Sequence, residues 1–107
     1  MICVEFLAQP DGRVMGFRVE GHSGYAEEGA DIVCAAVSSA AYLIVNSVTE
    51  VRGVSPLCLQ AEEGDMLFRI EPKDEPVCRD FFAGLRLHLT GLEEQYPEYL
   101  EVSYLEV

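Results

Sequence analysis

The chain has few basic residues, no paired cysteine motif and no long uninterrupted apolar run. Its 107 residues include seven Lys and Arg against nineteen Asp and Glu, which gives a formal net charge of −12. Because such a surface repels a phosphate backbone, direct nucleic-acid binding is not expected. No apolar run approaches the roughly 20 residues that span a bilayer, and residues 1–6 lack the basic start and cleavage site of a signal peptide. We therefore expect a cytoplasmic protein with no membrane partner.

The cysteine and histidine pattern argues against disulfides and metal sites. The four cysteines, Cys3, Cys34, Cys58 and Cys78, form no CxxC pair and should be reduced in the cytoplasm. One histidine and one cysteine separated by eleven residues fall well short of a zinc motif. A glycine-rich loop at 21–29 carries two acidic residues, Asp31 adds a third just after it, and no lysine follows, so phosphate binding is not expected either. No metal and no cofactor are expected.

The strongly negative net charge has two possible interpretations. A strongly negative surface can attract a basic partner, such as a cationic peptide or a nucleic-acid-binding protein, by long-range steering. Alternatively, the charge simply keeps the protein soluble. The composition leaves both readings open.

Periodicity predicts the secondary structure. Residues 1–8 and 14–20 alternate between apolar and polar positions and predict a β-hairpin across Pro10-Asp11-Gly12. From 32 to about 51 the apolar residues recur at helical spacing, and Gly53 is a reasonable stop signal. Many small residues in this segment indicate a helix packed closely against a neighbour.

The second half repeats the order of the first. Residues 57–62 and 66–71 predict another hairpin, and 99–107 alternate as a last strand. Residues 74–95 predict a helix with an apolar stripe at Val77, Phe81, Leu85, Leu89 and Leu92. The chain is thus predicted to be one domain, 1–107, of α/β (α+β) class with the order ββαββαβ. Two helices are expected on one face of a mixed or antiparallel sheet.

The stretch 21–40 holds the candidate chemistry. Asp31 is a good N-cap residue, which would place Cys34 in the first helical turn, where the free N–H groups and the helix dipole favour a thiolate. His22 lies at the predicted end of the second strand and could take the thiol proton and return it to a leaving group. We therefore hypothesise a Cys34–His22 nucleophilic dyad, in which backbone N–H groups at the predicted helix start, such as those of Val33 and Cys34, would stabilise the oxyanion. The competing interpretation is a small thiol buried in a close-packed helix.

The neighbouring polar residues have supporting roles in this hypothesis. Asp31 either caps the helix or orients His22, and the two roles are compatible. Ser38 lies one turn after Cys34 and either lines the site or bonds back to the helix carbonyls. The other three cysteines are interpreted as packing residues, and His88 as structural or surface.

At these residues the sequence resembles a known family, the ribosomal-processing cysteine proteases (Prp) of Gram-positive and related bacteria. The resemblance is carried by Gly21-His22-Ser23 and by the run GADIVCAAVS at 29–38. One departure is Ser23, where alanine is usual. The length and the order of elements also agree, so the resemblance covers essentially the whole chain.

The resemblance implies a cysteine endopeptidase that forms a homodimer. Its substrate would be the precursor of the twenty-seventh large-subunit ribosomal protein, a basic protein from which a short apolar N-terminal extension is removed to support ribosome assembly. It also implies that His22 and Cys34 are the catalytic pair with Asp31 beside them, and that the loop containing Gly21, Ser23, Gly24 and Gly29 closes over the substrate. Two alternatives stay open from the residues alone. They are a non-catalytic module that binds a ribosomal protein, and a thiol acyltransferase or hydrolase acting on something other than a peptide.

Overall fold

The computed structural model describes the backbone of residues 1–21, 28–62 and 64–107, and the side chains of 1–21, 32–62 and 64–107. Within these ranges the order of elements is the predicted one. The strands are β1 (Ile2–Ala8), β2 (Val14–Glu20), β3 (Cys58–Glu62), β4 (Asp65–Arg69) and β5 (Leu100–Glu106). The helices are α1 (Glu28–Asn46), extended by a π-helical turn (Ser47–Val51), and α2 (Glu75–Gln95), preceded by a 3₁₀ turn (Pro72–Asp74).

The five strands form one mixed sheet in the order β3-β4-β2-β1-β5. The pairs β1–β2, β2–β4 and β3–β4 are antiparallel, whereas β5 runs parallel to β1. A parallel pair needs a long crossover connection, which the segment between the two strands supplies. The α+β prediction is confirmed, and the sheet is mixed rather than wholly antiparallel.

Aromatic residues in register cross four strands of the sheet. Phe6 lies opposite Phe17 on one side and Tyr104 on the other, and Phe17 lies opposite Phe68. Neighbouring rings in this row have centroids 5.8–6.3 Å apart, within the favourable range for aromatic pairs. Phe82 of α2 packs edge-on against Phe17 and Phe68, at 6.2 and 6.1 Å. These contacts fix α2 on the sheet.

Each helix buries one stripe against the sheet. On α1 and the turn that follows it, the buried residues are spaced three or four apart: Val33, Val37, Ala41, Val45 and Val48. On α2 they are Cys78, Phe82, Leu85 and Leu89. The sequence had indicated Val77 and Phe81 for the first half of that stripe, one residue too early. Val77 is exposed and Phe81 is half-buried.

The segment Ile32–Val51 is, by length and composition alone, apolar enough to cross a membrane, with a mean hydropathy of 1.7. Polar residues interrupt this segment, so a search for uninterrupted apolar runs misses it. The expectation that no segment is long and apolar enough to span a bilayer is therefore corrected. The helix packs one side against the sheet as core helices of globular domains do. Its other side leaves Tyr42 and Leu43 exposed.

A buried carboxylate stands at the start of α2. Glu75 is 1 % exposed, and both its oxygens accept hydrogen bonds from Arg79, one turn later, at 2.6 and 2.8 Å. These bonds hold the pKa of Glu75 below its ordinary value of 4.5, although burial works in the opposite direction. The ionised form is therefore the one that the fold stabilises.

We expect Glu75→Gln to lower Tm at pH 7 by about 4–8 °C, or about 1 kcal/mol, because a charge-assisted pair becomes a neutral one. Since the folded-state pKa of Glu75 lies below the unfolded one, its stabilisation is complete above pH 4.5 and is lost as the pH falls through the folded-state value. Calorimetry between pH 3 and 7 should show the two proteins converging at the acid end. A Tm difference that stays constant over this range would contradict the assignment.

Candidate active site

A narrow cleft of about 50 Å³ lies between the first half of α1 and one end of the sheet. The helix contributes a set of residues on one face: Cys34, Val37, Ser38, Ala41 and Tyr42. The sheet and its turns contribute the opposite wall: Ile2, Val19, Gly21, Glu62, Gly64, Asp65 and Met66. The cleft thus brings three of the predicted site residues together, namely Cys34, Ser38 and Gly21.

The polar groups of the helix wall follow from helical spacing. Cys34, Ser38 and Tyr42 are four residues apart, so they lie one above another along α1. Cys34 is half-buried and packs against the core, while Tyr42 is 46 % exposed. Ser38 lines the cleft as predicted, and its hydroxyl makes no hydrogen bond to another residue that the structure describes. Sequence reasoning missed Tyr42, although its i+8 spacing from Cys34 was a usable signal.

The start of α1 differs from the sequence prediction. The helix begins at Glu28, so Asp31 is its fourth residue and the predicted N-cap role of Asp31 is wrong. Gly29, predicted to belong to the loop, lies in the first helical turn. Cys34 is the seventh residue, where α-helical geometry pairs its N–H with the carbonyl four residues earlier. The macrodipole decays within the first turn, so its field at Cys34 is weaker than the sequence suggested.

The other predicted members of the site fall outside the described residues. His22, Ser23 and Gly24 are among 22–27, and the side chain of Asp31 also lies beyond the description. Whether His22 and Asp31 approach the Cys34 thiol therefore stays a prediction. The cleft does contain the residue that directly precedes His22 in the chain.

That residue, Gly21, is glycine for a steric reason. Its φ is +90°, a region that side chains disfavour, and an added Cβ would lie 2.5 Å from the carbonyl oxygen of Met1. Its N–H donates to the carbonyl of Gly64 at 3.0 Å, which ties the end of β2 to the turn between β3 and β4. Gly21 thus packs against the start of the chain, at Met1, and against the turn between β3 and β4, at Gly64.

The rim of the cleft on the sheet side is acidic. Glu62 and Asp65 line it, and both are exposed. Arg18 on β2 lies 2.9 Å from Glu20 and 4.0 Å from Asp65, so it offsets part of this charge. Among the residues that the structure describes, no group of three or more His, Cys, Asp or Glu is placed to hold a metal ion. The chemistry available in the described part of the cleft is that of a thiol beside hydroxyl groups.

The remaining thiols lie elsewhere. Cys3 and Cys58 are half-buried on strands, and Cys78 is fully buried in the core. Burial, with smaller contributions from the charges of Asp74 and Glu75, raises the pKa of Cys78 to about 11. Cys78 is therefore a packing residue, as predicted, and Cys34 is the one cysteine that lines the cleft.

The chain is similar over almost its whole length to ribosomal processing proteases. The family model described as Cysteine protease Prp matches residues 1–101. The protein named Ribosomal processing cysteine protease Prp in Bacillus subtilis (strain 168) is 28% identical over 108 residues, with 96% of each chain covered. Its namesake in Staphylococcus aureus (strain Mu50) is 25% identical over 105 residues, covering 97% of this chain and 99% of that protein.

Solved structures have the same fold. A crystal structure of an essential ribosomal processing protease Prp from S. aureus, in complex with a substrate peptide, superposes with a TM-score of 0.88 at 23% identity. It covers 98% of this chain and all of that one. The crystal structure of SMU.848 from Streptococcus mutans gives a TM-score of 0.85 at 26% identity, covering 100% of this chain and 96% of that one.

Thiol reactivity should distinguish Cys34 from the other cysteines. We expect iodoacetamide to alkylate Cys34 of the folded protein at pH 8 at least about tenfold faster than Cys58, which is similarly half-buried but lies outside the cleft. Cys78 should react far more slowly, since a pKa of about 11 leaves a thiolate fraction on the order of 10⁻³. Peptide mass mapping over time gives the three rates. Equal rates for Cys34 and Cys58 would contradict an activated thiol.

Proposed function

The chain belongs to the Prp family of cysteine proteases and is a cysteine peptidase, and on that premise we propose that Cys34 and His22 form its catalytic dyad. The observation that carries this proposal is the position of Cys34 in a cleft whose opposite wall includes Gly21, the residue covalently joined to His22. The resemblance noted at Gly21–Ser23 and 29–38 is confirmed at the level of the family. Since the chain is a peptidase, the alternative of a non-catalytic binding module is set aside.

We propose that the substrate is the precursor of the twenty-seventh large-subunit ribosomal protein. The relatives named above are ribosomal processing proteases, and the S. aureus structure holds a substrate peptide. The net charge of −12 and the acidic rim at Glu62 and Asp65 suit a basic partner. Removal of the short N-terminal extension would let the mature protein enter the ribosome. The enzyme would act in the cytoplasm, where its four free cysteines are kept reduced.

In the proposed mechanism His22 takes the proton of the Cys34 thiol, and the sulfur attacks the scissile carbonyl carbon. The tetrahedral intermediate collapses as His22 gives that proton to the leaving amine, which breaks the C–N bond and leaves a thioester on Cys34. Water, deprotonated by His22, then attacks the thioester carbon. The C–S bond breaks, the new carboxyl group is released, and His22 returns its proton to the Cys34 sulfur. A cleft of about 50 Å³ accepts little more than a side chain, so the substrate is expected to lie extended across it.

The structure changes one part of the sequence-based mechanism. Helical hydrogen bonding occupies the N–H groups of Val33 and Cys34, since α1 begins at Glu28. These two groups therefore do not form a free oxyanion hole in the helix as it stands. The Ser38 hydroxyl, one turn from Cys34 and facing the same cleft, is a donor that can reach the substrate from the helix wall.

We also propose that the enzyme is a homodimer that buries a groove between α1 and α2. The groove has a volume of about 510 Å³ and is lined by His88 and by small or apolar residues: Ala36, Ser39, Ala40, Leu43, Ile44, Gly84 and Leu85. Leu43 is 64 % exposed there, and Ile32 on the same helix is 58 % exposed. Exposed apolar side chains on one helix beside an apolar groove are typical of subunit interfaces.

Replacing the nucleophile gives the direct test of the dyad. Cys34→Ala and His22→Ala should each lower kcat/KM for an extended ribosomal-protein peptide by about 10³-fold or more, since neither thioester formation nor proton transfer can then proceed. Cys58→Ala is the matched control and should cleave like wild type, because Cys58 does not line the cleft. Mass spectrometry of the cleaved peptide measures the rates. Full activity of Cys34→Ala would end the dyad proposal.

The dimer proposal has its own measurement. Leu43→Glu should shift the molar mass in light scattering from dimer to monomer, because a charge would be buried at the interface. Leu59→Glu, on exposed strand β3, is the control that should leave the mass unchanged. A monomeric wild type, or a Leu43→Glu variant that stays dimeric, would contradict the assignment.

A further inference from the structure

We propose that a second cavity, at the end of the sheet opposite the Cys34 cleft, is a binding site for an organic oxyanion, that is, a phosphate or carboxylate group attached to an apolar body. The cavity lies between the β1–β2 turn, the first half of α2 and β5, and has a volume of about 500 Å³. Small-ligand sites usually have volumes of about 300–1,000 Å³. The Cys34 cleft lies instead at the opposite ends of β1 and β2, where Ile2, Val19 and Gly21 line it.

The cavity concentrates the scarce positive charge of the chain. Arg13, Arg79 and Arg86 line it, three of seven basic residues in a protein of net charge −12. Two carboxylates, Asp11 and Glu75, also line it, so the local balance is one positive charge. An anion is repelled by the net negative charge of the protein, but at this cavity it meets a local excess of one positive charge.

Both carboxylates are already paired, which leaves donors free for a ligand. Asp11 accepts from the backbone N–H of Arg13 at 3.0 Å and from its Nε at 2.8 Å, and Glu75 accepts from Nε and Nη2 of Arg79. A guanidinium has five N–H donors, so both arginines keep several. Arg86 forms no ion pair with any residue that the structure describes. Its full fork is available for bidentate contact with an oxyanion.

The arginines of α2 are also well placed and held. Arg79 and Arg86 are seven residues apart, two helical turns, and therefore share one face of α2. The buried carboxylate of Glu75 fixes Arg79 with two hydrogen bonds, so less side-chain entropy is lost when a ligand binds. The field of Arg13 also reaches Glu75 across the cavity and helps to lower the pKa of that carboxyl, which places the β1–β2 turn and the helix within electrostatic range.

The rest of the lining is apolar and aromatic. Val14, Phe82 and Ala83 form part of the wall, and Tyr104 adds a half-exposed ring with a hydroxyl donor. This combination suits a ligand with an oxyanion at one end and an apolar or aromatic body at the other. A phosphate monoester and the terminal carboxylate of a peptide share that chemistry, and the experiment below tells them apart.

The test is a titration of the ¹⁵N-labelled full chain, followed by NMR. Phenyl phosphate represents the phosphate monoester, N-acetylphenylalanine the peptide carboxylate, and phenol the neutral body. We expect saturable shifts at residues 11–14 and 79–86 with at least one anion and not with phenol. The tighter of the two anions identifies the source. Absence of saturable binding up to about 20 mM by both anions, well beyond the millimolar range of weak specific binding, would overturn the proposal.

Variants test whether the cavity itself binds. Arg86→Gln should weaken the binding of the preferred anion about tenfold or more, the loss typical of one charged hydrogen-bonding partner. Ala83→Leu should weaken it by filling the cavity with all charges retained, whereas Arg52→Gln, an exposed arginine outside the cavity, should bind like wild type. Equal affinity in Arg86→Gln and Arg52→Gln would overturn the proposal. The readout is binding, so it does not depend on whether Cys34 is the nucleophile.

Discussion

The row of aromatic rings that crosses the sheet is the interaction on which the rest of this structure depends. Phe68, Phe17 and Phe6 are fully buried on adjacent strands, and Phe82 of α2 packs edge-on against Phe17 and Phe68. Burial of each such ring removes roughly 150–250 Å² from water, so this cluster dominates the core. With the centre of the sheet fixed in this way, the two ends of the strands are free to carry different surfaces.

Those two ends have opposite character. At one end, Cys34, Ser38 and Tyr42 of α1 face an acidic rim across a narrow cleft, which is consistent with the proposed basic substrate. At the other end, three arginines surround a larger cavity with an aromatic wall. The separation matters physically, because arginines placed next to the cleft would neutralise the negative charge of its rim. Placing the arginines at the far end of the strands preserves the acidic rim.

Some features of the site could be predicted from the sequence pattern, and others could not. The run from Gly29 to Ser38 predicted the family, which the comparisons confirm, and Cys34 as the nucleophile, which stays a proposal. Helical spacing placed Ser38 beside Cys34 correctly. The same pattern misplaced the start of the helix, because Asp31 has the chemistry of a cap yet lies inside α1. Helix ends are decided by small local free energies, which a single capping side chain does not settle. The predicted apolar stripe of α2 was displaced by one residue for a related reason. Phe81 and Phe82 are equally apolar, and only contact with the sheet decides that Phe82 is the buried one.

The sequence by itself determined the order of elements, the α+β class and the family, because periodicity and local motifs are properties of neighbouring residues. The tertiary structure alone decided that β5 pairs parallel to β1, that Gly21 must be glycine beside Met1, and that Arg13 meets Arg79 and Arg86 in one cavity. Each of these depends on contact between segments far apart in the chain. No local pattern records such contacts, since they arise only when the strands and helices pack together.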